Sequence, residues 1–209
     1  MKLYTKKDIL WNNGCATLLP LRLELGKRIG VTKLINYGGQ SFMETMIATH
    51  GRAKAEEIVN KSRKRGNIQH AKLETQRGYE EIIPLEVQEK LGHQLGSEVF
   101  LYGEIFGVST LGFADAIFKQ SNGTTLIVDY KTKSKPYYAQ DLSIYWKQMV
   151  CYAMLLNKMY GLSLGSMKMA TILIYQDGSP VQYIEQALDG YAKMLALDIQ
   201  KKCKLYLSI

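Results

Sequence analysis

A chain of 209 residues with 46% hydrophobic and 22% charged residues has the size and composition of one globular domain with a sizeable core. Its 27 Lys and Arg residues outnumber its 19 Asp and Glu residues, and the resulting net charge of +8 favours an anionic partner, either a nucleic acid or a membrane surface. No stretch approaches 18 consecutive apolar residues, which excludes a membrane-spanning helix of ordinary type.

The first 92 residues are rich in helix-forming residues and contain no clear alternating strand pattern. Apolar residues recur at helical spacing between Phe42 and Ile47 and again between Ala55 and Val59. Gly51 and Gly66 interrupt this region, so we expect at least two helices there. The sequence therefore predicts a helical N-terminal part over residues 1–92.

The pattern changes at residue 97, where three antiparallel strands are predicted at about residues 98–105, 108–119 and 124–131. The segment Ser121-Asn122-Gly123 is a typical hairpin turn between the last two strands. The apolar spacing of residues 137–161 predicts a long helix that ends at Gly161. A further strand is predicted within residues 166–178, and an amphipathic C-terminal helix over residues 184–207.

These elements predict a mixed α/β fold whose central sheet begins as an antiparallel meander, contains one helical crossover and is flanked by helices. We expect residues 1–209 to form a single domain, with the helical part at 1–92 and the sheet core with its flanking helices at 97–209. There is no repeat, no low-complexity tract and no obvious linker in the sequence.

The cysteines are few and scattered, at positions 15, 151 and 203. They support neither a disulfide framework nor a four-thiolate metal site. The N-terminal residues lack the uninterrupted apolar segment of a signal peptide. We therefore expect a cytoplasmic protein that is neither secreted nor embedded in a membrane.

Two acidic residues lie within the predicted meander. Asp115 stands among apolar residues in a strand interior, where a carboxylate is costly unless it is paired or binds a cation. The hairpin is expected to bring Asp115 near Asp129 on the neighbouring strand, and Lys131 points to the same side as Asp129 because strand side chains alternate. Two carboxylates close together favour a divalent cation with oxygen ligands, Mg²⁺ or Mn²⁺. A solvated strand end would also explain Asp129 and Lys131.

The segments "GFAD", "IVDYKT" and "QMVCY" resemble the successive motifs of the PD-(D/E)XK nuclease superfamily, in particular its RecB-like branch. The segment "KRGNIQHAKLE" is similar to the N-terminal motif of that branch. The residues that match the motif are Arg65, Gly66, His70 and Glu74. The order of the motifs is closest to single-strand exonucleases, including mitochondrial and phage relatives. The resemblance covers residues 65–152, and each motif is loose by itself whereas four in order are fairly specific.

The resemblance implies a restriction-endonuclease-like core and metal-dependent hydrolysis of DNA, with an exonuclease acting on single-stranded ends as the expected activity. It implies that one or two Mg²⁺ or Mn²⁺ ions are held by four groups, namely His70, Asp115, Asp129 and the Tyr130 carbonyl. It implies catalytic roles for Asp115, Asp129 and Lys131, of which Lys131 positions the attacking water. A compact nuclease of this kind would suit a phage or a mobile element.

Substrate contacts are expected from residues around these motifs, namely Arg65, Lys133, Lys135, Gln148 and Tyr152. Each has an alternative: Tyr152 could simply pack, Gln148 could contact the catalytic lysine instead of DNA, and Arg65 and the lysines could be solvated. Glu98 could support the metal ligands or be a solvated strand end. Ala114 replaces the Pro that names the superfamily, and the scattered cysteines predict no iron–sulfur cluster.

Two other function classes remain open from the sequence. One is a catalytically inert nucleic-acid-binding protein of the same fold, which the presence of both acids and Lys131 disfavours. The other is a basic interaction or membrane-surface protein whose acids are structural. Binding of Mn²⁺ by the wild type, and its loss in Asp115→Ala, would distinguish these classes from the nuclease.

Overall fold

The computed structural model describes residues 3–12, 15–21, 23–26, 28–39, 42–134 and 142–208. Its strands are β1 Ile9–Asn12, β2 Cys15–Leu18, β3 Leu23–Glu24, β4 Ile29–Gly30, β5 His93–Ile105, β6 Val108–Lys119, β7 Thr125–Lys133, β8 Met167–Tyr175 and β9 Gln182–Ala187. Its α-helices are α1 Val31–Ile35, α2 Phe42–His50, α3 Arg52–Leu73, α4 Gln76–Ile82, α5 Leu85–Leu91, α6 Ser143–Tyr160 and α7 Gly190–Leu207.

The main sheet has six strands, and five of them follow the order β4-β6-β7-β8-β9. The sixth strand, β5, pairs with β6 along its whole length. Strands β5, β6 and β7 form the antiparallel meander, and β7 pairs in parallel with β8 after the crossover through α6. This is the mixed α/β architecture of the restriction-endonuclease-like fold, as the sequence predicted. Because β7 pairs with β6 only as far as Ala116–Val128, the two strands separate at the level of Asp115.

Helices cover both faces of this sheet. Along β7, Ile127 packs into a cluster with Met149 and Leu155 of α6, whereas Leu126 and Val128 pack into a second cluster with Ile83 and Leu91 of the α4–α5 region. The alternation fixes the orientation of the residues that follow. Asp129 and Lys131 continue the face of Ile127 towards α6, and Tyr130 continues the opposite face.

The N-terminal part differs from the prediction of helices without strands. Strands β1, β2 and β3 form a small antiparallel sheet, and β4 joins the main sheet beside β6. The small sheet buries Ile9, Ala16 and Leu18 against Phe100 of β5. These strands have two to four residues, too few to show a period of two in the sequence, and their partners supply most of their stabilisation.

Three further boundaries differ from the sequence prediction. Strand β5 begins at His93, five residues before the predicted start near residue 98. Gly66 does not end a helix, since α3 runs continuously from Arg52 to Leu73. A glycine inside a helix costs about 1 kcal/mol relative to alanine, and the other residues of this 22-residue helix offset that cost. Residues 184–187 belong to the edge strand β9 and not to the C-terminal helix, because β8 offers them backbone hydrogen bonds. No helix within the described ranges is long and apolar enough to cross a membrane.

Candidate metal and nucleic-acid site

Three acidic residues lie at the same level of three adjacent strands. Glu98 of β5 stands opposite Asp115, because the pairs Ser97–Ala116 and Val99–Ala114 flank these two residues. Asp115 and Asp129 are the next residues beyond Ala116–Val128, the last pair of the β6–β7 ladder. The strands separate at this point, and Asp115 Oδ2 accepts a hydrogen bond from the Tyr130 backbone N–H at 2.8 Å.

His70 approaches two of these acids from helix α3. Its Nδ1 lies 3.8 Å from Asp115 Oδ2 and 4.0 Å from Glu98 Oε1. One ligand atom from each of His70, Glu98 and Asp115 lies within 4.8 Å of the other two. The end of α3 is fixed by the buried Leu73, and the His70 ring meets the Tyr130 ring edge-on at a centroid distance of 6.5 Å. From the sequence, His70 is expected at this site only because of the resemblance to the nuclease motifs.

Glu98 has an unusual backbone conformation, with φ at 46°. A residue other than glycine in this left-handed region carries a cost of about 1–2 kcal/mol. The register of β5 is irregular just before it, between Gln94 and Gly96. The strained residue is the one whose carboxylate lies beside His70. Backbone strain of this kind is often found in functional sites.

Sequence reasoning left Glu98 outside the metal ligands. A signal was nevertheless present, because the sharp turn between Ile105 and Val108 fixes the register of the hairpin. Counting back seven residues from Ile105 and forward seven from Val108 leads to Glu98 and Asp115. Register counting would therefore have placed the two carboxylates opposite each other.

Asp129 and Lys131 lie next to this group on the α6 side of β7. Lys131 Nζ forms an ion pair with Asp129 Oδ1 at 2.7 Å, and only 2% of the Asp129 side chain is exposed. Asp129 does not contribute to the group of three ligand atoms around His70. Its Oδ2 is buried and has no hydrogen-bond partner among the described residues, and the same holds for the Thr171 hydroxyl across the β7–β8 ladder.

The charges of this site are poorly solvated. Burial raises the pKa of Asp129 to about 6, against the attraction of Lys131. Burial also raises the pKa of Asp115 and of Glu98. Burial alone would lower the pKa of Lys131, but the nearby Asp129 and Asp115 raise it overall, so the lysine stays charged. Three acids that resist ionisation indicate a need for added positive charge.

A divalent ion fits this donor set. Two carboxylate oxygens and one imidazole nitrogen converge on a small cavity of about 10 Å³ that Glu74 and Tyr130 also line. Oxygen ligands suit Mg²⁺ and Mn²⁺, and the imidazole favours Mn²⁺ over Mg²⁺. The buried atoms without a partner next to the group, Asp129 Oδ2 and Thr171 Oγ1, are typical of a site that holds a water or an ion.

Gln148 and Tyr152 lie on helix α6, one turn apart. Gln148 Nε2 donates a hydrogen bond to Tyr152 Oη at 2.8 Å. Tyr152 is buried and packs on β6 so closely that a Cβ at Gly112 would lie 2.6 Å from its Cε1. Tyr152 therefore has a packing role that requires Gly112, the glycine of "GFAD". Its hydroxyl also fixes the Gln148 side chain through the hydrogen bond.

The predicted basic residues are only partly described. Arg65 of α3 donates to Gln176 Oε1 at 3.1 Å, and Lys133 donates to Tyr145 Oη at 2.7 Å. The Nζ atoms of Lys131 and Lys133 lie 5.0 and 5.1 Å from the centroid of the same Tyr145 ring. Lys135 falls outside the described residues.

Comparisons with known proteins identify the family of this chain. The sequence profile of the PD-(D/E)XK nuclease superfamily matches residues 40–200. A crystal structure from Eubacterium rectale, named "Putative exonuclease", shares 14% identity, with a TM-score of 0.53 over 86% of this chain and 80% of that chain. The crystal structure of SSO0001 shares 19% identity, with a TM-score of 0.49 over 85% of this chain and 76% of that chain.

A comparison with curated proteins gave no match. At 14% identity, the likeness to the Eubacterium rectale structure shows the fold alone. The profile match covers most of the chain and includes His70, Glu98, Asp115, Asp129 and Lys131. The chain therefore belongs to the PD-(D/E)XK nuclease superfamily.

Proposed function

We propose that this protein is a Mg²⁺- or Mn²⁺-dependent deoxyribonuclease that hydrolyses phosphodiester bonds and acts as an exonuclease on single-stranded ends. We further propose that residues 1–209 act as one nuclease domain. The observation that carries the proposal is the convergence of His70, Glu98 and Asp115 beside the Lys131–Asp129 ion pair. Membership of a nuclease superfamily supports the reaction class.

We assign the metal ligands to His70, Glu98 and Asp115, with Asp129 and the Tyr130 carbonyl completing the set. A bound divalent ion would act as a Lewis acid that neutralises the phosphate and stabilises negative charge as the phosphodiester bond breaks. Glu98 is added here because its Oε1 lies 4.0 Å from His70 Nδ1 and belongs to the group of three converging ligand atoms.

Lys131 acts on the water and the phosphate. Its ammonium group is held by Asp129 at 2.7 Å and lies against the Tyr145 ring, so its position is fixed before substrate arrives. About a quarter of its side chain is exposed. In this position Lys131 orients the attacking water and donates hydrogen bonds to the phosphate oxygens.

The two carboxylate oxygens of Asp129 have different roles, since Oδ1 is paired with Lys131 and Oδ2 is not. Oδ2 is buried and has no partner among the residues that the structure describes. A carboxyl with a pKa near 6 is ionised at neutral pH and can still take a proton. We propose that Oδ2 accepts a hydrogen bond from the water that Lys131 orients.

The substrate strand is bound by residues around the site. We propose that Arg65, Lys133 and Lys135 contact phosphates, in keeping with the net charge of +8. Gln148, which Tyr152 holds in place, contacts the strand from α6. The preference for single-stranded ends follows from the resemblance to single-strand exonucleases.

The test is a cleavage time course with Mn²⁺ or EDTA on labelled linear single-stranded, duplex and circular single-stranded DNA, and on RNA of the same sequence. We expect degradation of linear single-stranded DNA from an end, no cleavage of the circle, and no activity in EDTA. Asp115→Asn should be inactive, and the exposed Asp177→Asn should be active as a matched control. Cleaved circles would show an endonuclease. Strand binding without cleavage under every condition would show the inert binding protein.

A further inference from the structure

A second cavity lies at the end of β7, beyond the metal site. It has a volume of about 260 Å³ and is lined by Ser62, Arg65, Thr132, Lys133, Ser134 and Gln176. None of these residues lines the cavity at His70 and Asp115. The lining combines two cations with hydroxyl and amide groups and contains no carboxylate, so it suits an anion.

The Arg65 guanidinium is held by neutral groups alone in the described part of the chain. Nη1 donates to Gln176 Oε1 at 3.1 Å, and Nη2 lies 3.3 Å from Ser62 Oγ. Its Nε is buried and has no acceptor among the described residues. A buried charged donor without an acceptor costs free energy, and an anion in the cavity would remove that cost.

Two elements independently give the separation between this cavity and the metal site. On α3, Arg65 precedes His70 by five residues, or about 7.5 Å along the axis. On β7, Lys133 follows Lys131 by two residues, or about 6.6 Å. The cavity joins the two elements, because the Gln176 side chain binds Arg65 and its backbone N–H donates to the Lys133 carbonyl at 2.9 Å.

This separation is comparable to that between neighbouring phosphates in an extended nucleic-acid strand. The ammonium groups of Lys131 and Lys133 lie 5.0 and 5.1 Å from the centroid of the same Tyr145 ring, so one aromatic side chain contacts both lysines. Arg is well suited to a phosphate because its planar donors bind two oxygens at once.

We propose, on the basis of the nuclease function above, that this cavity binds the phosphodiester one nucleotide away from the scissile phosphate. Arg65 and Lys133 hold that phosphate, and Ser62 and Gln176 keep the guanidinium in place. The substrate strand then runs between the C-terminal half of α3 and the end of β7. Holding the neighbouring phosphate fixes which bond lies next to Lys131.

The test measures binding of a labelled single-stranded oligonucleotide to the metal-free protein in EDTA by fluorescence anisotropy, over a range of salt concentrations. We expect Arg65→Met to weaken binding about tenfold and to reduce the salt slope by about 0.7 per lost phosphate contact. Arg63→Met removes an exposed charge from the same helix and should change binding far less. Equal effects of the two variants would overturn the phosphate site.

A second variant leaves Arg65 in place. Ser62→Asp would give the guanidinium a carboxylate partner and should weaken binding as much as Arg65→Met, whereas Ser62→Asn should not. Wild-type binding by Ser62→Asp would contradict the proposal. Because these measurements use no metal, they remain informative if the chain proves to be inactive.

The cavity could take either an internal phosphodiester or a terminal phosphate, and the choice of oligonucleotide distinguishes the two. Oligonucleotides with and without a terminal phosphate should show the same Arg65→Met effect if the site takes an internal diester. An effect confined to the phosphorylated oligonucleotide, or competition by inorganic phosphate alone, would assign the cavity to a terminal phosphate and refute the diester site. A single neutral methylphosphonate next to the cleaved bond should slow cleavage by wild type and not by Arg65→Met.

Discussion

The substitution Glu98→Gln should raise the Tm of the metal-free protein and reduce the rise in Tm that Mn²⁺ causes. Burial raises the pKa of Glu98, and the neighbouring Glu74 adds to this effect, so the ionised carboxylate destabilises the metal-free fold. A neutral amide of the same size removes that cost. We therefore expect a higher Tm for the variant in EDTA and a smaller rise in Tm when Mn²⁺ is added.

The size of the Mn²⁺ effect follows from binding linkage. An ion present at 100 times its Kd stabilises the folded state by about 2.7 kcal/mol. For a chain of 209 residues, each kcal/mol shifts Tm by about 2–4 °C, so wild type should gain about 5–10 °C. Loss of one ligand atom from the group of His70, Glu98 and Asp115 should weaken binding at least about tenfold, which removes about 1.4 kcal/mol and about 3–6 °C of the rise at the same Mn²⁺ concentration.

The assay is differential scanning fluorimetry in EDTA and in a Mn²⁺ series, supported by isothermal titration calorimetry. Glu104→Gln is the matched control, since Glu104 is exposed on the same strand and should leave both Tm values unchanged. An unchanged Mn²⁺ response in Glu98→Gln would remove Glu98 from the ligands. A wild-type Tm that does not respond to Mn²⁺ or Mg²⁺ would refute the metal site as a whole.

Four more outcomes are expected. Asp115→Asn should abolish cleavage and leave DNA binding in EDTA near the wild-type level, as measured by anisotropy, because the phosphate contacts lie elsewhere. Lys131→Ala should lower kcat at least about 100-fold with little loss of Mn²⁺ affinity by calorimetry, and lost affinity would contradict its role. His70→Ala should weaken Mn²⁺ binding and activity, whereas His50→Ala should do neither. Metal-free protein should lose stability as the pH rises from about 4 through about 6, because burial raises the pKa of Asp129 to about 6 and the folded state holds that proton longer than the unfolded state. A Tm that stays constant across this range would contradict the prediction.

Helix α6 and the β6–β7 hairpin could be predicted from the sequence because their stabilising patterns are local. The α6 helix shows an uninterrupted 3.6-residue period and ends at Gly161, whose φ is 68°. The β6–β7 hairpin has its turn signal at Gly123. The two-residue strand β4 has no such signal, since its pairing with Thr110 and Leu111 of β6 is a contact across 80 residues of chain.

The candidate site was predictable to the extent that it lies on one hairpin. Asp115, Asp129 and Lys131 belong to neighbouring strands joined by a short turn, so their proximity follows from register. His70 comes from a helix whose placement depends on the burial of Leu73 in the core, which no local pattern encodes. The backbone of Glu98 is strained, and strain of this kind is a property of the tertiary structure.

The most direct measurement is the position of Mn²⁺ in crystals of the wild-type protein, located by anomalous scattering. If His70, Glu98 and Asp115 hold the ion that promotes hydrolysis, a peak should lie about 2.2 Å from one atom of each of them. The peak should be absent from Asp115→Asn crystals prepared in the same way. A protein that cleaves DNA with Mn²⁺ but shows no peak at these three side chains, or a peak only elsewhere, would contradict the account.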